Sequence, residues 1–449
     1  MTHLGFVWDN PPMRISPLVL LGLVASSALA AEPSVRFDRI TIDDNFPDAY
    51  QVEVVDVDGD KKPDIVALGG ATIAWYQNPT WTKRVIATGG IPLKADIISS
   101  ATADLDGDGM AEIAIACDFA MPTPTRGQLF LASQGTTLDA PWTLHKIADV
   151  PSIHRVRWAD LEGDKKPELI VAPIFGPKSR PPTYDQDMAR VVEFRPDVDR
   201  PKTGEWVERE IMRRPVVHAV GVFPSKVLGT FPLNVDKITG RWGRNPGSVI
   251  TADNTGLSQA SGVLDKNRRI TSWSDGETEF IPGASGPRPK RGCSDFHLVR
   301  TATGNGMIAT IEPWHGSELV VWNLRDQNSI KAMFRLVMSD NPAALYSRTV
   351  IDNALDDGHA LWTADVDGDG ADEIFAGHRG KDHRVAMYRF DDKTWTRTIL
   401  DTGVAAQDLR GGDLDGDGVP DVVAVGGKTH NVVWYHPVRL KPGGEGAVR

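Results

Sequence analysis

The residues best equipped for chemistry are acids. Asp365-Val-Asp-Gly-Asp-Gly-Ala-Asp-Glu373 returns with small changes as DVDGDKKPD at 56–64, DLDGDGMAE at 104–112, DLEGDKKPE at 160–168 and DLDGDGVPD at 413–421. Each phrase places acids at positions 1, 3, 5 and 9 and glycine at 4, so the carboxylates of a short loop converge on one point. The expected ligand sets are Asp56, Asp58, Asp60 and Asp64; Asp104, Asp106, Asp108 and Glu112; Asp160, Glu162, Asp164 and Glu168; Asp365, Asp367, Asp369 and Glu373; and Asp413, Asp415, Asp417 and Asp421. That much negative charge calls for a hard cation. Calcium, with six to eight oxygen ligands and tolerance of irregular geometry, fits best, giving up to five structural ions. An EF-hand needs glycine at 6 and its last acid at 12, so these loops are not EF-hands.

A second set is imidazole. Six residues before the first acid of each loop stand Tyr50, Ile98, His154, His359 and Gln407, and in two units without an acidic loop the matching residues are His218 and His297. Four histidines at equivalent places in adjacent units are expected to meet. Imidazole suits zinc, copper, iron and nickel, and zinc, held by three histidines with an open fourth position, is the expected ion. A water-bridged channel without metal is the alternative. His378, His315 and Tyr50 are the candidate bases, with Arg155, Arg379, Glu312 and Trp314 expected beside them.

These residues need a frame that repeats. Short apolar runs follow every acidic loop (Ile65–Leu68, Ile113–Ala116, Leu169–Ala172, Ile374–Ala376, Val422–Val425), and third and fourth strands, the fourth marked by Trp or Tyr, complete each unit. Four antiparallel strands per unit make a propeller blade. The loops begin at 56, 104, 160, 365 and 413, so spacings of 48, 56 and 48 residues flank a gap of 205 that two diverged blades fill. The expectation is an all-β, seven-bladed β-propeller, with eight blades as the alternative. The strand Phe37–Ile42 has no blade before it and should pair with the last blade to close the ring. The Pro- and Gly-rich inserts Pro177–Asp187 and Pro224–Pro246 read as rim loops.

Arg14, the apolar run Pro17–Ala30 and the small residues up to Ala31 resemble a secretory signal peptide over residues 1–31, leaving 32–449 as one propeller domain. The run is too short to span a bilayer, so a secreted or periplasmic product is expected. The formal charge is −11, but five loops of four acids hold 5 × 4 = 20 of the 60 acids, so most of the acidity is ligand charge. Nucleic acid is therefore not a natural partner. Cys117 and Cys293 lie in distant units, which argues against a disulfide. A closed propeller leaves no strand edge that demands a partner, so a monomer is expected.

The repeats resemble FG-GAP/VCBS-type calcium-loop propellers over essentially the whole mature chain. More narrowly, His154-Arg-Val-Arg-Trp-Ala-Asp-Leu, Ala172-Pro-Ile-Phe-Gly, Glu312-Pro-Trp-His-Gly and Gly358-His-Ala-Leu-Trp are similar to the propeller domain of aldos-2-ulose dehydratases. That resemblance implies a metal-dependent cleft that removes water, or a glycosidic oxygen, beta to the ketone of an oxidised sugar. No cupin or lectin-like domain follows the propeller, so the isomerase half of the fungal activity is not expected. The rival expectation is a non-catalytic calcium-stabilised propeller that binds glycans or proteins.

Overall fold

The computed structural model describes residues 35–135, 137–223, 247–267, 269–275, 281–302, 306–324, 346–391 and 393–440. Their strands form seven four-stranded antiparallel sheets and no helix. The first strand of each sheet is innermost, and these strands touch around a central axis: Ala49–Val55, Ser99–Ala103, Ile153–Ala159, Ala219–Phe223, Asp295–Arg300, Gly358–Ala364 and Ala406–Gly412. They are the inner strands of blades one to seven.

The second strands explain why blades stack. Asp64–Gly69, Glu112–Cys117, Glu168–Pro173, Ser248–Asp253, Glu373–His378 and Asp421–Gly426 are buried at every position. Both faces of these strands are covered by neighbouring sheets, so their Ile, Val and Ala runs need not alternate with polar residues. Val66, Trp75 and Ile86 of blade one thus interleave with Ile113, Ile115 and Phe130 of blade two. Each large apolar side chain so buried contributes about 1.5–3 kcal/mol. The fourth strands are instead exposed or half-buried at most positions, as in Thr82–Thr88, because their outer side meets solvent.

The ring closes as the pairing of Phe37–Ile42 required. Val35–Asp43 runs antiparallel to Asn431–Arg439, with Ile40 opposite Trp434, and becomes the outer strand of blade seven. The two diverged blades that fill the gap of 205 are present as blades four and five, with inner and second strands at Ala219–Phe223 and Ser248–Asp253, and at Asp295–Arg300 and Gly306–Glu312. The signal-peptide expectation and the insert Pro224–Pro246 lie outside the described residues. Cys117 and Cys293 are both buried, free thiols.

Candidate functional site

The side chains of interest arise from a repeated irregularity of the inner strands. In blades one, three, six and seven the first inner-strand pairing skips a residue: Ala49 faces Gly69 and Gln51 faces Leu68, and likewise around positions 154, 359 and 407. Tyr50, His154, His359 and Gln407 are the extra residues of β-bulges, a device that re-aims a side chain out of the ladder. Two positions earlier the chain turns through a left-handed residue, Asp48, Ser152 or Asp357, with φ of 54°, 60° and 61°. The inner pairing of blade four has no bulge, but Val216 is left-handed and the His218 N–H donates to Ala252 O.

Three of the four expected histidines meet at this mouth. His154 and His218 ring centroids are 5.0 Å apart, as are those of His218 and His359. His315, expected as a base, joins them from the turn after Gly306–Glu312, with its Nε2 at 2.9 Å from His218 Nε2. One donor atom from each of His218, His315 and His359 falls within 4.8 Å of the others. The Tyr50 hydroxyl lies 3.1 Å from His154 Nε2 and 3.5 Å from His359 Nε2.

Hydrogen bonds define the tautomers. His218 Nδ1 lies 2.7 Å from Ser294 O and His359 Nδ1 lies 2.6 Å from Gln407 O. A carbonyl only accepts, so both Nδ1 atoms carry the proton and both Nε2 lone pairs face the cluster. Arg155 Nη1 donates to His154 Nε2 at 3.2 Å, which leaves the His154 proton on a buried Nδ1 with no hydrogen-bond partner. Arg379 Nη2 donates to His315 Nδ1 at 3.1 Å, and Asp357 Oδ1 lies 3.6 Å from the same atom. Burial, then the nearby Arg155 or Arg379 cations and the neighbouring imidazoles, holds all four histidines well below the usual value. His218 and His359, with backbone-anchored Nδ1–H groups, offer Nε2 lone pairs that fit zinc, copper, iron or nickel, whereas His315, whose Nδ1 accepts from Arg379, carries its proton on Nε2 toward His218 and would release it to ligate.

His297, His378 and Glu312 are placed elsewhere. The His297 register came from counting in a blade that lacks an acidic loop. The equivalent residue is Ser294, whose N–H donates to Ile311 O just as His218 donates to Ala252 O, and which follows left-handed Gly292 by two positions. His297 lies three residues further on and faces the central channel. His378 lies back in its blade, with Nδ1 3.2 Å from Asp356 O and a buried Nε2 without partner. Glu312 is fully buried and accepts from Thr310, Trp322 Nε1 and Arg348. Trp314 and Phe175 pack with Tyr184, which comes from the expected rim insert, and Phe119 to form an aromatic wall. A pattern in the sequence could have found Ser294: Asp, Ser or Gly stands two residues ahead in DAY, SIH, GCS and DGH.

Below the cluster the inner strands enclose a channel cavity of about 380 Å³. Arg155, Arg157, Asp295, His297, Asp408 and Arg410 are among its lining.

At the far ends of the same strands the five acidic loops share one backbone design. The first acid accepts at least two N–H groups, as Asp56 does from Gly59 at 2.8 Å and Lys61 at 2.8 Å. The ninth accepts the N–H of position 2: Val57 to Asp64, Leu105 to Glu112, Leu161 to Glu168, Val366 to Glu373 and Leu414 to Asp421. The glycine at position 4 has φ between 77° and 82° throughout, a conformation that favours glycine. Residues 46–115 and 365–424 match the FG-GAP-like repeat. The chain carries FG-GAP-like repeats.

No curated protein matches the chain. Among solved structures it is similar to an Agrocybe aegerita lectin that recognises non-reducing terminal N-acetylglucosamine, at 13% identity and TM-score 0.48 over 87% of this chain and 86% of that one. It is similar to the extracellular domain of a hybrid two-component system from B. thetaiotaomicron, at 10% identity and TM-score 0.44 over 89% and 39%. The Swd1 β-propeller domain of Myceliophteria thermophila matches at 8% identity and TM-score 0.43 over 91% and 100%.

The five loops are not equivalent as cation sites. The FG-GAP-like loop 56–64 gathers Asp56, Asp58 and Asp64, and 365–373 gathers Asp365, Asp367 and Glu373. In 413–421, Asp415 and Asp417 gather with His436, which also contacts Asp421. In 104–112 the acids Asp104, Asp106 and Asp108 gather too, but Lys202 of blade three places Nζ 2.8 Å from Asp106, 3.0 Å from Asp108 and 2.9 Å from Glu112. In 160–168, Glu162 turns to the Ile270 N–H at 2.7 Å and to Arg195 at 2.7 Å. Every loop already holds a donor, Gln77 at Asp58 (2.7 Å) and Arg389 at Asp367 (2.8 Å) included, but in 104–112 one ammonium reaches three of the acids, and the donor sets of 56–64, 365–373 and 413–421 best fit a hard divalent cation.

Proposed function

We propose that the chain is a metal-dependent carbohydrate lyase. His218, His315 and His359 hold one transition-metal ion, zinc by preference, beside which an oxidised sugar loses water or a glycosidic oxygen beta to its ketone. The observation that carries this reading is the convergence at the channel mouth of three imidazoles, His218, His315 and His359, each with a ring nitrogen within 4.8 Å of the others. An ion bound there would act as a Lewis acid on the ketone oxygen and make the adjacent C–H acidic. Within the protein, Tyr50 and His154 handle the proton. Neutral His154 Nε2, 3.1 Å from the Tyr50 hydroxyl, takes it through the phenol, and Arg155, with Cζ 5.2 Å over the Tyr50 ring, stabilises negative charge there. The carbon–carbon double bond forms as the β C–O bond breaks, and the same proton returns to the leaving oxygen. Half-buried Phe119 and Tyr184, backed by buried Phe175 and Trp314, offer an aromatic face to the sugar ring. The similarity of the stretches around His154, Glu312 and His359 to aldos-2-ulose dehydratases agrees with this chemistry.

Calcium in the FG-GAP-like loops 56–64, 365–373 and 413–421 would be structural, which suits a secreted or periplasmic protein because extracellular modules meet calcium at high concentration.

A second reading, a glycan-binding propeller without catalysis, draws on the burial of His154, His218 and His359, each at 2% exposure or less. The two are separated by incubating zinc-loaded protein with 3-keto and 2-keto sugars and following enone absorbance. The lyase reading expects enone from the parent and none from folded His359→Ala. Glycan binding without enone in either protein would establish the second.

A further inference from the structure

We propose that the channel beneath the histidine cluster binds a small sugar acid, its carboxylate held by Arg155 and Arg157. That this ligand is also the lyase substrate rests on the reading above; the binding site itself stands on the channel residues alone.

The cavity of about 380 Å³ suits a monosaccharide, since small-molecule pockets begin near ~300 Å³. Its charge is unusual for buried space. Arg155 is 9% exposed and lines the cavity, yet it donates to His154 O and Nε2, not to an acid. Arg157 donates to Val156 O at 2.8 Å. Among the described residues no carboxylate lies within 4.0 Å of either guanidinium, whereas Arg410 is paired with Asp408 at 2.9 Å. Arg155 is nearly removed from water and Arg157 half-buried, neither beside a carboxylate, so two such guanidiniums facing one cavity favour an anionic ligand there.

The count of charges selects which anion. Three guanidiniums (Arg155, Arg157, Arg410) face two carboxylates (Asp295, Asp408), and His297 is neutral because burial, then Arg410 and Arg157, pushes it down to about 3. The lining is left with one positive charge; Glu53, which interacts with Arg157 from outside the lining, has its pKa raised by burial toward the neutral form. A single carboxylate neutralises it, and the planar guanidinium fork matches that group. Phosphate would bring a second charge against Asp295 and Asp408. Those two acids and Gln407 supply the hydrogen-bond partners that sugar hydroxyls need. The cavity also reaches His359, whose Nδ1 bonds Gln407 O, so a sugar anchored below by its carboxylate extends toward the cluster.

The experiment is calorimetric titration of the whole protein with D-galacturonate, D-galactose and inorganic phosphate, with transition-metal content measured on the same samples. Galacturonate is expected to bind, weakening as salt rises, while galactose and phosphate bind at least about tenfold more weakly. Arg157→Gln is expected to lose about ten- to a hundredfold in affinity. Asp295→Asn, which removes an opposing charge, is expected to bind more tightly, and it tests the site even if Arg157→Gln misfolds. Equal binding of galacturonate and galactose, no binding of either, or undiminished galacturonate affinity in folded Arg157→Gln overturns the proposal. Galacturonate binding by protein that takes up no transition metal retires the lyase and keeps the site. Metal uptake without galacturonate binding does the reverse.

Discussion

Asp295 is an acid inside a channel, and burial raises its pKa to about 6, offset in part by Arg410 and Arg155 and reinforced by Asp408. Its folded pKa therefore exceeds its unfolded one. The stability it contributes is present below the unfolded value of about 4 and is lost as pH rises to about 6. Asp295→Asn is thus expected to raise the melting temperature at pH 8 and leave it unchanged at pH 4; the opposite pH order would contradict this. At this scale much was legible. His154, His218, His359 and Tyr50 were found by a constant six-residue offset or by strand order, and the offset holds because the same bulge recurs. His297 was misplaced because blade five has no acidic loop to count from. His315 was legible only as a turn residue near the mouth, because turn geometry at Trp314–Gly316 brings its Nε2 to His218. His378 and Glu312 share that end of the blade, but side-chain direction, which periodicity does not reveal there, takes them into the blade.

The FG-GAP-like loop is the element with the clearest sequence signature, and its repetition set the blade count. Its state of charge was not legible. Lys202 is distant from loop 104–112 in sequence, and only the approach of blade three shows its ammonium among Asp106, Asp108 and Glu112. We expect Lys202→Met to gain one calcium per chain by elemental analysis, because the lysine already neutralises that loop. An unchanged calcium count would show that Lys202 does not compete with the ion. A second element-scale test concerns the strand Gly306–Glu312. Glu312 anchors Trp322 and Arg348 with no exposure, so Glu312→Gln is expected to cost about 2–4 kcal/mol in denaturant unfolding, where a loss near zero would contradict its anchoring role.

For the whole molecule, closure depends on one strand. Val35–Asp43 covers the edge of Asn431–Arg439 and is tied to the neighbouring blade six by Arg39 to Asp401 at 2.6 Å. Deleting residues 35–43 should expose that edge, lower the melting temperature and cause self-association in sedimentation; a monomer of parental stability would contradict the account. The seven-bladed count followed from loop spacing and from a strand without a blade of its own. The channel's charge did not, because residues on seven inner strands become neighbours only once the ring closes.

The central claim is the metal centre at the mouth, and metal content tests it most directly. Protein purified without a polyhistidine tag, exposed to zinc and dialysed, is compared with His218→Ala and His359→Ala by elemental analysis. The account predicts about one transition-metal ion per parent chain, none in either variant, and calcium retained in all three. A parent that holds calcium alone, or variants that keep the transition metal, would contradict it.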